Sequence, residues 1–139
     1  MNTINVGLVQ RTWDMMAPIA DEASRMFYDR LFELDPSLRA MFANANMDEQ
    51  RQKVMQTITV AVHSLGRLHE LMPAVEELGR KHAGYGVKKR HYATAGAALF
   101  DMLEWGLGDA FTAEARESWT NTYTTLAEAM QRAGSDRAA

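Results

Sequence analysis

Apolar residues recur every three or four positions from one end of this chain to the other, and that period governs what it can fold into. Val6, Val9, Trp13 and Met16 form one stripe. Val54, Ile58, Val62 and Leu65 form a second, and Trp119, Tyr123, Leu126 and Met130 a third. On a helix each stripe gathers on one face, with charged residues opposite. No segment sustains the two-residue alternation and β-branched enrichment of a half-buried strand. The sequence therefore predicts an all-α protein, and 139 residues suit one domain with one core.

Prolines, glycines and asparagines set the expected boundaries. Pro18 ends an N-terminal helix, and a second helix is expected over roughly 19–34. Asp35-Pro36 pairs an N-cap with a proline at the first helical position, so a short helix starts there and ends within AMFANANMDEQ. Further helices are expected over about 47–66, with an interruption near Gly66, over about 68–82, closed by AGYGV, and over about 89–107, stopped by Gly106 and Gly108. A last helix is capped by Thr112 and fades near Gly134, and the tail 134–139, GSDRAA, is expected to fray. About seven helices of such unequal lengths do not make a simple four-helix bundle.

Charge and composition remove several function classes. Fifteen Lys and Arg against eighteen Asp and Glu give a net charge of −3, which argues against nucleic-acid binding. There is no cysteine, so disulfides, thiol catalysis and Cys-ligated metals are excluded, and a reducing cytoplasm suits the chain. The start, MNTINVGLVQRTWDMM, lacks the basic and apolar regions of a signal peptide, and no apolar stretch approaches membrane-spanning length. Glu76 and Glu77 are adjacent, so they point to different helix faces. No Glu-x-x-His repeat suggests a di-iron bundle, His63 and His69 are not spaced for zinc, and no phosphate loop or nucleophile elbow is present.

One stretch stands apart: LGRKHAGYGV, residues 78–87, with His82 in the last turn of a helix and glycines as its stop signal. His82 has two local readings. It is a cation settled at the negative end of a helix dipole, or an imidazole aimed at something buried. The local residues leave both open.

Landmarks elsewhere favour the second. FYDRLFELDPSLRAMF, QRQKVM and LGRKHAGYGV follow one another with Gln50 and His82 32 residues apart. In that order they resemble the globin family over roughly residues 5–132, in particular its single-domain bacterial haemoglobins and, through residues 52–108, the neuroglobins. The resemblance implies a single globin domain over 1–139, with its helices packed around haem b (iron protoporphyrin IX). It implies that His82 is the axial ligand of the iron, leaving the opposite position for dioxygen, NO or CO. Phe42 would pack against the porphyrin, Val54 would crowd the ligand pocket, and Val87 and Tyr92 would also touch the cofactor. Lys53 would reach a haem propionate or, after a helix shift, the ferric iron.

Tyr28 and Gln50 are the functional pair that the resemblance implies, as hydrogen-bond donors to the gas. Bonds to a charged acceptor contribute about 1.5–3 kcal/mol each, so two would slow dioxygen escape by about two to four decades. Carbon monoxide, being less polarised, would gain less. Two departures qualify the resemblance. Neuroglobin has histidine where Gln50 stands, so its paired axial histidines are not implied here. Flavohaemoglobins back their ligand histidine with a tyrosine and a glutamate; Tyr92 matches the tyrosine, but the glutamate position falls near Gly134, and no reductase domain is expected.

Three functions are thus expected in turn. The first is reversible dioxygen binding for storage, transport or scavenging. The second is an enzyme, an NO dioxygenase that detoxifies nitric oxide with a separate reductase. The third is a haem-free helical interaction module. The clusters Arg80-Lys81 and Lys88-Lys89-Arg90-His91 read as solvated helix-end charge, or as propionate partners or a docking patch for an acidic electron donor. Methionines such as Met26, Met41, Met55 and Met102 read as adaptable core filler.

Overall fold

The structure is a computed structural model describing residues 4–138, with side chains through Ser135. The described residues form six α-helices and no strand: α1 (Val6–Asp14), α2 (Ala20–Leu34), α3 (Met47–His63), α4 (Leu68–Gly84), α5 (Lys89–Leu107) and α6 (Ala113–Ala138). Short 3-10 turns at Ala17–Ile19, Pro36–Phe42, Leu65–Arg67 and Gly108–Ala110 join them. The all-α expectation holds, and most boundaries fall where capping chemistry puts them. The Asn5 side chain accepts from the Leu8 N–H (3.1 Å) and the Asn46 side chain from the Glu49 N–H (3.2 Å), each satisfying a free donor of a first helical turn. Asp35 does the same for Ser37 (3.1 Å) ahead of a seven-residue 3-10 turn that opens with Pro36.

The apolar stripes meet in one core. Val9, Met16 and Leu103 are fully buried, and Trp13 packs on Trp119 with ring centroids 5.9 Å apart. Both indoles keep a partner for their N–H: Trp119 Nε1 donates to Thr12 Oγ1 and Trp13 Nε1 to Thr59 Oγ1, each at 2.9 Å. These two bonds tie α1, α3 and α6 together without leaving a buried donor orphaned. An Arg30–Asp101 bridge (2.7 Å) fastens α2 to α5.

The tightest crossing joins α4 to α6. A Cβ at Gly79 would fall 2.3 Å from the Met130 carbonyl oxygen, and one at Gly134 would fall 3.1 Å from the Ala83 Cβ. Backbone therefore lies directly on backbone. Gly134 is buried in this crossing, and α6 runs past it rather than fading there. Of the expected frayed tail, Ala139 lies outside the described residues. Pro73 sits inside α4, removing one backbone donor without ending the helix. No helix among the described residues is long and apolar enough to cross a membrane.

Candidate functional site

The residues singled out in the sequence collect into two groups. The first surrounds Tyr28 on α2. Its side chain is buried, and its ring meets Phe42 edge-on at 5.5 Å, Phe27 edge-on at 5.1 Å and Phe32 at 6.0 Å. Phe42, half-buried at the end of the 3-10 turn, also meets Phe32 edge-on at 5.6 Å. The Tyr28 ring thus sits among three aromatic walls. Gln50, in the first turns of α3, donates from Nε2 to the Tyr28 hydroxyl oxygen at 3.2 Å. The phenol's own proton finds no acceptor among the described residues. Burial pushes the Tyr28 pKa above its ordinary value, against smaller downward pulls from the Gln50 bond and the Arg51 charge. The hydroxyl is therefore protonated at neutral pH, a donor polarised by the amide behind it.

Along α3, Val54 is half-buried against the core and Lys53 is exposed. Arg51 is the residue that the sequence reading missed. Its side chain is only 17% exposed, its Nη2 pairs with Asp48, and its Nε is buried without a hydrogen-bond partner. A signal was present. Arg51 stands three and seven residues before Val54 and Ile58, in step with the apolar stripe rather than with the charged face.

The second group is built around His82 and is made largely of backbone. The end of α4 closes as a Schellman motif: the Val87 N–H reaches the His82 carbonyl (3.0 Å) and the Gly86 N–H reaches that of Ala83 (3.1 Å). This cap requires a left-handed residue, supplied by Gly86 at φ 86°, whereas Gly84 remains helical. His82 Nδ1 lies 2.8 Å from the Leu78 carbonyl oxygen. A carbonyl only accepts, so Nδ1 carries the proton and the lone pair is on Nε2. The ring is held by its own helix through Nδ1, which leaves the Nε2 lone pair unused by that bond. Tyr92 lies beside it, ring centroids 6.3 Å apart at 31°, and the half-buried Val87 follows the turn. Tyr123, its hydroxyl driven well up in pKa by burial, donates to the Tyr92 carbonyl at 2.6 Å and anchors that segment from α6.

His91 needs a correction. The sequence grouped it with the solvated basic cluster, but it is buried, and its Nδ1 accepts the Lys88 N–H at 2.8 Å, capping α5. Its proton is thus on Nε2, which faces Asp35 at 3.8 Å. Two histidines nine residues apart hold opposite tautomers, His82 with its lone pair on Nε2 and His91 with its lone pair spent at Nδ1. Around it, Lys81, Lys88, Lys89 and Arg90 are exposed, and Arg80 pairs with Glu77 (3.1 Å).

Comparison with known proteins agrees with this architecture. The family model described as Globin matches residues 25–130. A neuroglobin from Tetraodon nigroviridis is 34% identical over 138 residues, covering 90% of this chain and 87% of that protein. A flavohemoprotein from Bacillus subtilis is 27% identical over 126 residues, which is 89% of this chain and 32% of that longer protein. Among solved structures, a bacterial globin from Campylobacter jejuni shares the fold with a TM-score of 0.80 at 20% identity, over 96% of each chain. A hexacoordinated heme protein from an anhydrobiotic tardigrade does so at 0.77 and 16% identity, over 89% of this chain and 88% of the other.

Proposed function

The chain belongs to the globin family, and from that premise we propose that it is a haem-binding protein that takes up and releases dioxygen. The residues present fit such a group. The observation that carries the reading is the His82 ring, whose Nδ1–H is spent on the Leu78 carbonyl so that Nε2 is left as a ligand. Haem, of type b in this reading, supplies the iron at which a diatomic gas attaches and leaves. Phe42, Val54, Val87 and Tyr92 would wall its ring, and Lys53, exposed on α3, would meet a propionate.

Tyr28 and Gln50 would act on the gas. Dioxygen in such a pocket draws negative charge toward its outer atom, and Tyr28 holds a proton with no acceptor of its own to offer it. Gln50 orients that hydroxyl from behind through its 3.2 Å bond. Hydrogen bonds of this charged kind contribute about 1.5–3 kcal/mol, enough to lengthen dioxygen residence by about one to two decades per donor. Carbon monoxide and NO would enter the same space with less gain from Tyr28.

A second reading, NO dioxygenase served by a separate reductase, is favoured by Tyr92 lying against His82. The opposing observation is on α6. Gly134, near which flavohaemoglobin resemblance would want a glutamate, is packed against Ala83 with its Cβ position 3.1 Å from the Ala83 Cβ. The His82 proton therefore goes to a neutral carbonyl rather than a carboxylate, leaving the imidazole less anionic and favouring carriage over O–O chemistry. A cytoplasmic location suits a chain without cysteine.

Absorption spectra of the purified protein, oxidised, reduced and under carbon monoxide, test the proposal. A Soret band that moves with oxidation state and with carbon monoxide is expected. A colourless protein after expression with ample haem would leave the haem-free interaction module as the answer. Rapid reduction of the oxidised form by cell extract would favour the dioxygenase, and slow reduction would favour carriage.

A further inference from the structure

Arg51 is a cation placed where the helix pattern calls for an apolar residue. Its side chain is 17% exposed while that of its partner, Asp48, is 81% exposed, so the charge is inside and its counter-charge largely in solvent. Its Nε–H is buried and pairs with nothing among the described residues. A buried donor left open is unfavourable unless something else uses it or its charge. Gln50, immediately before it on α3, holds the Tyr28 hydroxyl, and the Arg51 charge pulls that phenol's pKa down against the rise from burial.

We propose that Arg51 selects among ligands of the Tyr28 pocket, favouring small anions, and gases that become negative on binding, over neutral ligands. The inference rests on the haem reading above and goes beyond it, because Tyr28 and Gln50 alone are neutral donors. A fixed positive charge behind a neutral donor strengthens that donor toward an anion and leaves a neutral ligand nearly unaffected. Water screens the charge weakly at this depth, and the exposed carboxylate of Asp48 offsets only part of it. Arg51 acts through Tyr28, as a positioning residue, and no bond to the ligand itself is required.

Azide is the anionic probe and carbon monoxide the neutral one, titrated into the oxidised and reduced haem-loaded protein at neutral pH. Arg51→Met, similar in length and uncharged, is expected to weaken azide binding about tenfold and to change carbon monoxide binding less than about twofold. Arg51→Lys, which keeps the charge, is expected to recover most of the azide affinity. Asp48→Asn removes the counter-charge at an exposed site, so it folds whatever becomes of Arg51→Met, and is expected to tighten azide severalfold. Unchanged azide affinity in both Arg51→Met and Asp48→Asn would overturn the inference. So would parallel shifts in azide and carbon monoxide, which mark a packing defect. Absence of a Soret band in the unaltered protein would instead remove the haem reading itself, so the two failures are told apart.

Discussion

The Tyr28 side and the His82 side of this molecule are built from different materials. Around Tyr28 the geometry is carried by side chains: three phenylalanine rings and one amide. Around His82 it is carried by backbone: the Leu78 carbonyl, the glycine-closed cap and a helix crossing that leaves no room for a methyl group at Gly79. A metal ligand must hold one direction, and backbone constraints fix it against side-chain variation. A gas pocket must be tunable, and side chains can be exchanged one at a time. On the proposed reading, substitutions on the His82 side should therefore break haem binding or the packing, while those on the Tyr28 side should retune a site that survives.

The largest expected effect is on the His82 side. His82→Ala removes the only nitrogen that the cap holds ready, and the protein should lose most of its haem on gel filtration while keeping its helical circular dichroism. Retained haem with an unaltered spectrum would show that the two sides do not differ in this way. Next comes Gly79→Ala. Its new Cβ would lie 2.3 Å from the Met130 carbonyl oxygen, so α4 and α6 must part, at about 3 kcal/mol by urea unfolding. A change below about 0.5 kcal/mol would contradict a backbone-on-backbone crossing.

The smallest effect tests a polar link between the sides. Asp35 caps the turn that ends in Phe42 and also faces His91 at the start of α5. Its bonds to the Ser37 hydroxyl and N–H, with the nearby Arg90 charge, hold its carboxyl below the usual carboxylate range despite some desolvation. A carboxyl lowered by folding contributes stability above its unfolded pKa, and that contribution is lost as pH falls through its folded one. Asp35→Asn keeps a capping oxygen and removes this titration. Its stability should fall less steeply than that of the parent protein below about pH 4, measured by thermal melts across pH 3–6. Parallel melting curves would assign acid sensitivity elsewhere.

How much of this was legible in the sequence follows from what each signal reports. Periodicity tells which face of a helix is apolar, and Val9, Trp13, Met16 and Trp119 are indeed buried. Local chemistry tells where helices begin and end, so Asp35-Pro36 and the turn at Gly86 were readable. Neither signal tells which helix meets which. The α4–α6 crossing lies in Gly79 and Ala83, small residues four apart on one face, and Gly134 looked like a stop signal because its contact partner is 55 residues earlier in Gly79. The Gln50–Tyr28 bond joins positions 22 apart, which no local pattern encodes; the resemblance implied both as donors to a gas, not a bond between them. His91 was misread because a histidine in a basic run looks solvated, while its ring is drawn in to cap a helix.

Dioxygen dissociation from the Tyr28→Phe protein tests the central claim most directly. The substitution keeps the ring among Phe27, Phe32 and Phe42 and removes only the hydroxyl that Gln50 orients. Stopped-flow displacement by carbon monoxide should show haem still bound and dioxygen leaving about ten to a hundred times faster than from the parent. An unchanged off-rate would contradict the account, because the unspent proton of Tyr28 would then hold nothing.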